Sequence, residues 1–157
     1  MAIQRPSFQH ISPSRHHELG LRSKILDLAN GYLGTPYALG GKSKDGGIDC
    51  SGFITNVLLS ALGSQKFKPL IQNIALLRTS PILETIENPE HGDLILWEGH
   101  GGIVVDPSAG QFIGAQTSTG VAIASYRVGH WSQQPGIKFR KFGSYFFEWS
   151  KSFLQSA

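Results

Sequence analysis

Cys50 is the only cysteine in this chain of 157 residues. It stands in the stretch Asp49-Cys50-Ser51-Gly52, with Gly46-Gly47 just before it and the apolar run Phe53-Ile54-Thr55-Asn56-Val57-Leu58-Leu59 just after. Glycines, a candidate nucleophile and then a helix-like pattern put Cys50 at or near a helix N-terminus. Unpaired N–H groups and the positive end of the helix dipole favour a thiolate there, and such a setting lowers a cysteine pKa of about 8.5 by several units. A lone cysteine is also commonly a buried structural residue. The glycine-rich lead-in and the polar neighbours on both sides favour the reactive reading.

A thiolate nucleophile needs a base beside it and a third group that orients the base. Among the six histidines, His10, His16 and His17 belong to the polar N-terminal stretch. His91 precedes an apolar run and His130 lies in the late loop His130-Trp131. His100 stands in Glu98-Gly99-His100-Gly101-Gly102, at the start of the run from Ile103. Flanking glycines let another backbone or a substrate approach closely, so His100 is the best base candidate on local chemistry. A turn histidine in solvent is the competing reading. His16-His17 reads as a solvated pair, because no third ligand stands nearby at a metal spacing. A single cysteine excludes an intramolecular disulfide and any CxxC zinc site.

These groups must be held by a few elements. Residues 1–16 read as an irregular, polar arm. Leu21, Ile25, Leu28 and Ala29 follow helical spacing over residues 18–30, and Asn30-Gly31 is a stop signal. Gly34-Thr35-Pro36-Tyr37 follows, then Gly40-Gly41 and a polar loop at 42–47; Pro36 keeps Thr35 extended. Tyr37 either reaches the Cys50 end of that loop or is a half-buried aromatic with its hydroxyl in water. The Cys50 helix runs to about Leu62, with the stripe Phe53, Val57 and Ala61 widened by Ile54 and Leu58, and Gly63 closes it. Residues 64–90 read as a less regular connector with a short helix at 71–78 and a surface loop between Pro81 and Pro89. After Gly92 the period changes to strands at 94–97, 102–105, 111–116, 121–126 and 137–142, and their short loops imply antiparallel neighbours. Phe146, Trp149 and Phe153 fit a last amphipathic helix at 144–157. Helices first and strands after give an α+β fold, a single domain over residues 1–157, with the Cys50 helix laid on one face of a sheet.

Gly34-Thr35-Pro36-Tyr37, Gly40-Gly41, Asp49-Cys50-Ser51-Gly52-Phe53, Gly92-Asp93-Leu94 and His100-Gly101-Gly102-Ile103 together resemble, in order, spacing and type, the NlpC-type family of cell-wall cysteine peptidases. The match covers about residues 28–126. The resemblance implies a papain-like α+β core with N-terminal helices packed on an antiparallel sheet. It implies hydrolysis of amide bonds in peptidoglycan stem peptides, often the bond between D-γ-glutamate and the diamino acid. It implies Cys50 as nucleophile and His100 as general base and then acid. Tyr37 is then expected in the site near the substrate carbonyl, the backbone of Cys50 or Ser51 in the oxyanion role, and Asp49 beside them. No metal or organic cofactor is expected.

The chain departs from the family at the third residue. The family often carries a histidine on the strand after the base, in a stretch like Phe-Ile-His-Ala. Here the stretch reads Phe112-Ile113-Gly114-Ala115-Gln116, and Gly114 has no side chain to orient an imidazole. Gln116 falls on the same strand face two residues on. Its amide oxygen can accept an imidazole N–H as Asn does in papain-like sites, so Gln116 is expected as the orienting residue, with His91 and His130 as rivals.

Composition is that of an ordinary globular chain, with 40% hydrophobic and 16% charged residues and a formal net charge of +3. A mild basic balance suits an anionic surface such as a bacterial wall. A nucleic-acid binder shows clustered Lys and Arg, whereas Lys138-Phe139-Arg140-Lys141 reads as a solvated strand. No apolar run reaches the roughly 18 residues that span a membrane, and residues 1–14 show no Sec-type signal. The expectation is a protein made in the cytoplasm and exported to act in the periplasm of a target cell. It resembles small type VI secretion amidase effectors, which implies a cognate immunity protein. A phage-tail or lysis hydrolase, a thiol acyltransferase or hydrolase on a lipid or other amide, and a non-catalytic binding module are the alternatives.

Overall fold

The computed structural model describes residues 11–143 and Phe146. Helix α1 spans Pro13–Asn30, and Ser12 caps it by accepting from the Arg15 N–H, with Pro13 in the first turn. Proline suits that position because its missing N–H would have no helical partner. Residues 13–16, expected in an irregular arm, are therefore helix, and His16 and His17 are exposed on it. The rest of the expected arm up to residue 10 lies outside the described residues, as does the expected C-terminal helix apart from Phe146. That ring packs on Phe67 and Phe142.

A two-stranded hairpin follows, β1 (Lys42–Ser43) with β2 (Gly47–Ile48). Helix α2 spans Cys50–Leu62 and ends at Gly63, whose φ of 70° is the left-handed closure expected of a glycine. Two short helices, α3 (Lys68–Ile71) and α4 (Ile74–Thr79), lead to the strands β3 (Leu83–Ile86), β4 (Leu94–Leu96), β5 (Gly101–Asp106), β6 (Gln111–Gln116), β7 (Gly120–Ser125) and β8 (Lys138–Phe142). A short 3-10 helix, His130–Gln133, sits between β7 and β8. The six strands form one sheet in the order β3-β8-β4-β5-β6-β7, every pair antiparallel. The chain is thus α+β, with helices packed on an antiparallel sheet.

Strand β3 was expected to be surface loop. It pairs with β8, and its Leu83 is buried while Thr85 is exposed. Leu83 and Thr85 share one strand face, so the segment shows no alternation of buried and exposed residues; its acids and flanking prolines read as loop, and its partner lies at the far end of the described chain.

The main core lies between the helices and the sheet. Phe53, Ile54, Val57 and Leu58 of α2 are fully buried, and they share a cluster with Ile103 of β5 and with Ile113 and Ala115 of β6. Burying each such side chain stabilises the fold by about 1.5–3 kcal/mol. A smaller cluster of Ile95, Trp97, Val104 and Phe112 carries Trp131, Tyr126 and Phe139 at its edge.

Two features lock the motif residues in place. The Gly34–Tyr37 segment is hydrogen-bonded to β7: Gly34 N–H donates to Val121 O and Val121 N–H to Thr35 O, both at 2.9 Å. The Gly92-Asp93 turn is gripped by α1, where the buried Arg22 guanidinium donates to Asp93 Oδ1 at 2.5 Å and to His91 O at 3.1 Å. A Cβ on Gly92 would lie 3.0 Å from the Arg22 backbone. Asp93 is therefore a structural member of its motif. Among the described residues, no helix is long and apolar enough to cross a membrane.

Candidate active site

Cys50 is the first residue of α2, and Asp49 is its N-cap. Asp49 Oδ1 accepts from Gly52 N–H at 2.7 Å and from the Ser51 hydroxyl at 3.2 Å, while Oδ2 accepts from Gly40 N–H at 3.1 Å. One carboxylate thus closes the helix start and ties it to the Gly40-Gly41 turn. A Cβ on Gly52 would come within 2.6 Å of the Gly41 carbonyl oxygen, so the glycine at 52 permits this approach. Asp49 N–H donates to Gly41 O at 3.0 Å, and Ile48 N–H donates to Pro36 O at 2.9 Å. The loop is thereby drawn across the helix start, bringing Tyr37 to the site.

With Gly52 N–H taken by the cap, the N–H groups of Cys50 and Ser51 remain to face the Cys50 sulfur, joined by Gly101 N–H from β5. They favour the thiolate. Burial outweighs them and pushes the thiol up, and the negative charge of Asp49 adds to the rise. The expectation of a lowered thiol pKa is therefore corrected: the helix start does act on the sulfur, but its capping carboxylate and its burial act more strongly.

His100 immediately precedes β5. Burial holds its imidazole down to about 4, with the neighbouring His130 contributing in the same direction. Both members of the pair are thus neutral at rest near neutral pH. The imidazole is packed among rings: Trp131 stacks on it with centroids 4.0 Å apart and planes 11° from parallel, and Phe112 stands edge-on at 6.3 Å. Its Nε2 is buried and has no hydrogen-bond partner among the described residues.

Cys50, His100, Tyr37 and Gln116 line one cavity of about 700 Å³, which His130 and Trp131 also border. That size suits a ligand of a few linked residues. Burial raises the Tyr37 hydroxyl above its ordinary value, and the charges of Cys50 and Asp49 add to this, so it remains a donor. Among the described residues, Glu98 is the one Asp, Glu, Lys or Arg that lines the cavity.

The structure brings together Cys50, His100, Tyr37, Ser51, Asp49 and Gln116. It gives Gln116 different partners from those expected. Gln116 Oε1 accepts from the indole N–H of Trp131, and its Nε2 donates to Ala122 O, both at 3.4 Å. The amide reaches the ring that covers the imidazole, and among the described residues His100 Nε2 has no hydrogen-bond partner. Of the rivals, His130 borders the cavity. His91 is exposed in the turn before β4 and does not line it. Sequence reasoning missed Trp131 as a site residue. Its one local signal is an aromatic beside His130, and nothing in the spacing links it to His100. Among the described residues, no group of three His, Cys, Asp or Glu side chains is placed to hold a metal ion.

A cysteine at a helix start and a histidine at the head of a neighbouring strand, on a shared cleft of an antiparallel sheet, are the residue types and placement that thiol-hydrolase chemistry requires. Residues 34–138 match the NlpC/P60 family, and this chain belongs to that family, whose members are cysteine peptidases and amidases. Murein DD-endopeptidase MepS/Murein LD-carboxypeptidase of Escherichia coli K12 is 29% identical over 119 residues, covering 73% of this chain and 60% of that protein. Gamma-DL-glutamyl hydrolase of Bacillus subtilis 168 is 30% identical over 123 residues, covering 73% of this chain and 28% of that protein. The chain thus spans 60% or less of the length of these curated relatives. The crystal structure of the NlpC/p60 domain of peptidoglycan hydrolase SagA superposes with a TM-score of 0.59 at 27% identity, covering 74% of this chain and 96% of that domain. An NLP/P60 protein similar to lipoprotein from Staphylococcus aureus Mu50 shares the fold, with a TM-score of 0.60 at 24% identity over 75% of this chain and 40% of that one.

Proposed function

We propose that this protein is a peptidoglycan hydrolase that cleaves stem-peptide amide bonds through a Cys50 thioester. The observation that carries this reading is the shared cavity of Cys50 and His100, with N–H groups of Cys50, Ser51 and Gly101 gathered at the sulfur. Because thiol and imidazole rest neutral, His100 takes the Cys50 proton as the sulfur attacks the amide carbon. The carbonyl oxygen becomes an oxyanion beside the N–H groups at the start of α2. His100 then gives the proton to the leaving amine, the C–N bond breaks, and a thioester to Cys50 remains. Water, deprotonated by His100, attacks the thioester and releases the acid and the thiol. Tyr37, a protonated donor in the same cavity, holds the substrate carbonyl region.

The bond we propose is D-γ-glutamyl–diaminopimelate. The name of the Bacillus relative, a gamma-DL-glutamyl hydrolase, supports that choice, while the name of the Escherichia relative points to D,D bonds. Digestion of Gram-negative peptidoglycan, read by mass spectrometry, separates the two. Fragments with a newly freed diaminopimelate α-amine, absent with Cys50→Ala, support the reading. Cleavage at a D,D bond overturns the bond assignment, and cleavage retained in Cys50→Ala overturns the nucleophile. Failure to cleave with Cys50 still reactive would redirect the substrate to a lipid or another amide.

Such a substrate lies in the wall, so we propose action in the periplasm of a target cell, with a cavity-filling immunity protein as the matching partner. Expression behind a periplasmic leader is expected to lyse Escherichia coli with wild type and not with Cys50→Ala. Equal growth of the two strains would overturn the proposed place of action.

A further inference from the structure

We propose that Trp131 is the positioning residue for the His100 imidazole, holding the ring by face-to-face stacking, and that Gln116 acts on the site through the indole N–H. The inference rests on the thiol hydrolase reading above and deepens it by naming what replaces the polar orienting group.

Three observations support it. The indole and imidazole are in stacking contact, 4.0 Å between centroids and 11° from parallel. Position 114, where a polar side chain would otherwise face the base, is glycine, and a Cβ there would lie 3.1 Å from the Phe112 ring and 3.2 Å from Gly101 O. The space next to the base is thus already filled by backbone and by an aromatic ring. Thirdly, Gln116 Oε1 accepts from Trp131 Nε1 at 3.4 Å.

A hydrogen bond fixes an imidazole by direction at one nitrogen. A stacked ring fixes the plane and leaves rotation within it, which Phe112 limits from the side at 6.3 Å and 75°. Trp97 lies beside the stack, with its ring 5.0 Å from Trp131 and 5.7 Å from His100. The indole N–H bond to Gln116 ties Trp131 to β6, beside the Ser132 and Gln134 side-chain bonds that hold the short 3-10 helix His130–Gln133. The stack also keeps water from one face of the base, which agrees with an imidazole that resists protonation. The titratable groups around His100 on the cavity wall are Cys50 from α2, Tyr37 from the preceding loop, Glu98 from its own turn and His130 beside Trp131.

The test reads the His100 ring by NMR titration of the substrate-free protein, its signals assigned by their loss in His100→Gln. In wild type the midpoint is expected near 4. Trp131→Ala uncovers the ring, and its midpoint is expected to rise by about one unit or more toward the ordinary value. Trp131→Phe keeps a ring face without the N–H, and Gln116→Leu removes the acceptor. Each is expected to shift the midpoint part of the way, and the double variant no further than Trp131→Phe alone. An unchanged midpoint in Trp131→Ala, with the fold retained by circular dichroism, overturns the positioning role. A double variant in which the two shifts add overturns the route through the indole. Since no substrate is present, a failure to cleave peptidoglycan would count against the proposed substrate and leave this result intact.

Discussion

The backbone N–H of Gly101 faces the sulfur of Cys50. Gly101 follows His100 directly, so one peptide joins the residue that carries the base to a donor aimed at the nucleophile. A Cβ on Gly101 would meet Leu96 at 2.8 Å and Ile54 at 2.9 Å. A larger residue there would have to push those side-chain tips aside. The same closeness buries the thiol, and burial is the largest reason its pKa stands above the ordinary value.

A raised thiol pKa has a direct chemical consequence. Alkylation of Cys50 by iodoacetamide is expected to be slower than that of a free cysteine at pH 7. Its rate should climb about tenfold per pH unit past pH 8.5, where an ordinary thiol begins to level off. A rate that plateaus below pH 7 would show that an imidazolium–thiolate pair forms at rest, contrary to this structure.

Asp49 combines two effects that substitution can separate. Asp49→Asn keeps a good N-cap and removes the charge that raises the thiol. Its single amide oxygen can accept from Gly52 N–H but not also from Gly40 N–H, so it is expected to speed alkylation at pH 7 at a stability cost of about 0.5–1 kcal/mol. Asp49→Ala removes the bonds to Gly52 and Gly40 N–H and is expected to lose about 1–2 kcal/mol in urea unfolding. Equal alkylation rates for wild type and Asp49→Asn would remove the carboxylate from the account of the thiol.

Much of this arrangement is legible in the sequence, and the gaps have physical causes. Helix α2 runs from Cys50 to Leu62 with Gly63 closing it, as its apolar stripe and terminal glycine require. Strand β6 matches the expected 111–116, because alternation and flanking turns define it locally. Strand β3 depends on a partner far along the chain, and Leu83-Glu84-Thr85-Ile86 lacks enough apolar residues to announce itself. Cys50 and His100 are legible because each sits in an unusual local setting. The stack of Trp131 on His100 is not, since it joins a 3-10 helix to a strand start with no repeating period between them. The direction of the thiol shift also escapes sequence reasoning, which sees the helix dipole and cannot see burial.

The loop that delivers Tyr37 offers a contrast between two glycines. Gly34 has φ 85° with open space around its absent Cβ, whereas Gly120 has φ 71° and a Cβ there would overlap the Thr35 carbonyl oxygen. Gly34→Ala is expected to lose only the left-handed penalty of about 1–2 kcal/mol. Gly120→Ala must also force apart the Thr35–Val121 hydrogen bond, so a loss of about 2–4 kcal/mol is expected, with a fall in activity as Tyr37 shifts. Equal losses in urea unfolding would mean that the loop yields without cost.

The depressed imidazole of His100 also makes stability depend on pH. An unfolded histidine titrates near 6.5, whereas the folded ring titrates at about 4. On acidification the unfolded chain therefore takes up this proton first, and binding it there favours unfolding. The contribution of His100 is intact above about pH 6.5, declines as pH falls toward 4, and changes no further once the folded ring is protonated as well. The full difference is on the order of 3 kcal/mol. His100→Gln removes the group from both states and is expected to flatten that part of the profile. The difference between the two proteins reports His100 together with its electrostatic coupling to His130. Urea unfolding of wild type and His100→Gln at pH 7 and pH 4.5 measures it. Parallel losses in the two proteins would place the imidazole near its ordinary value and remove the neutral resting pair on which the order of proton transfer depends.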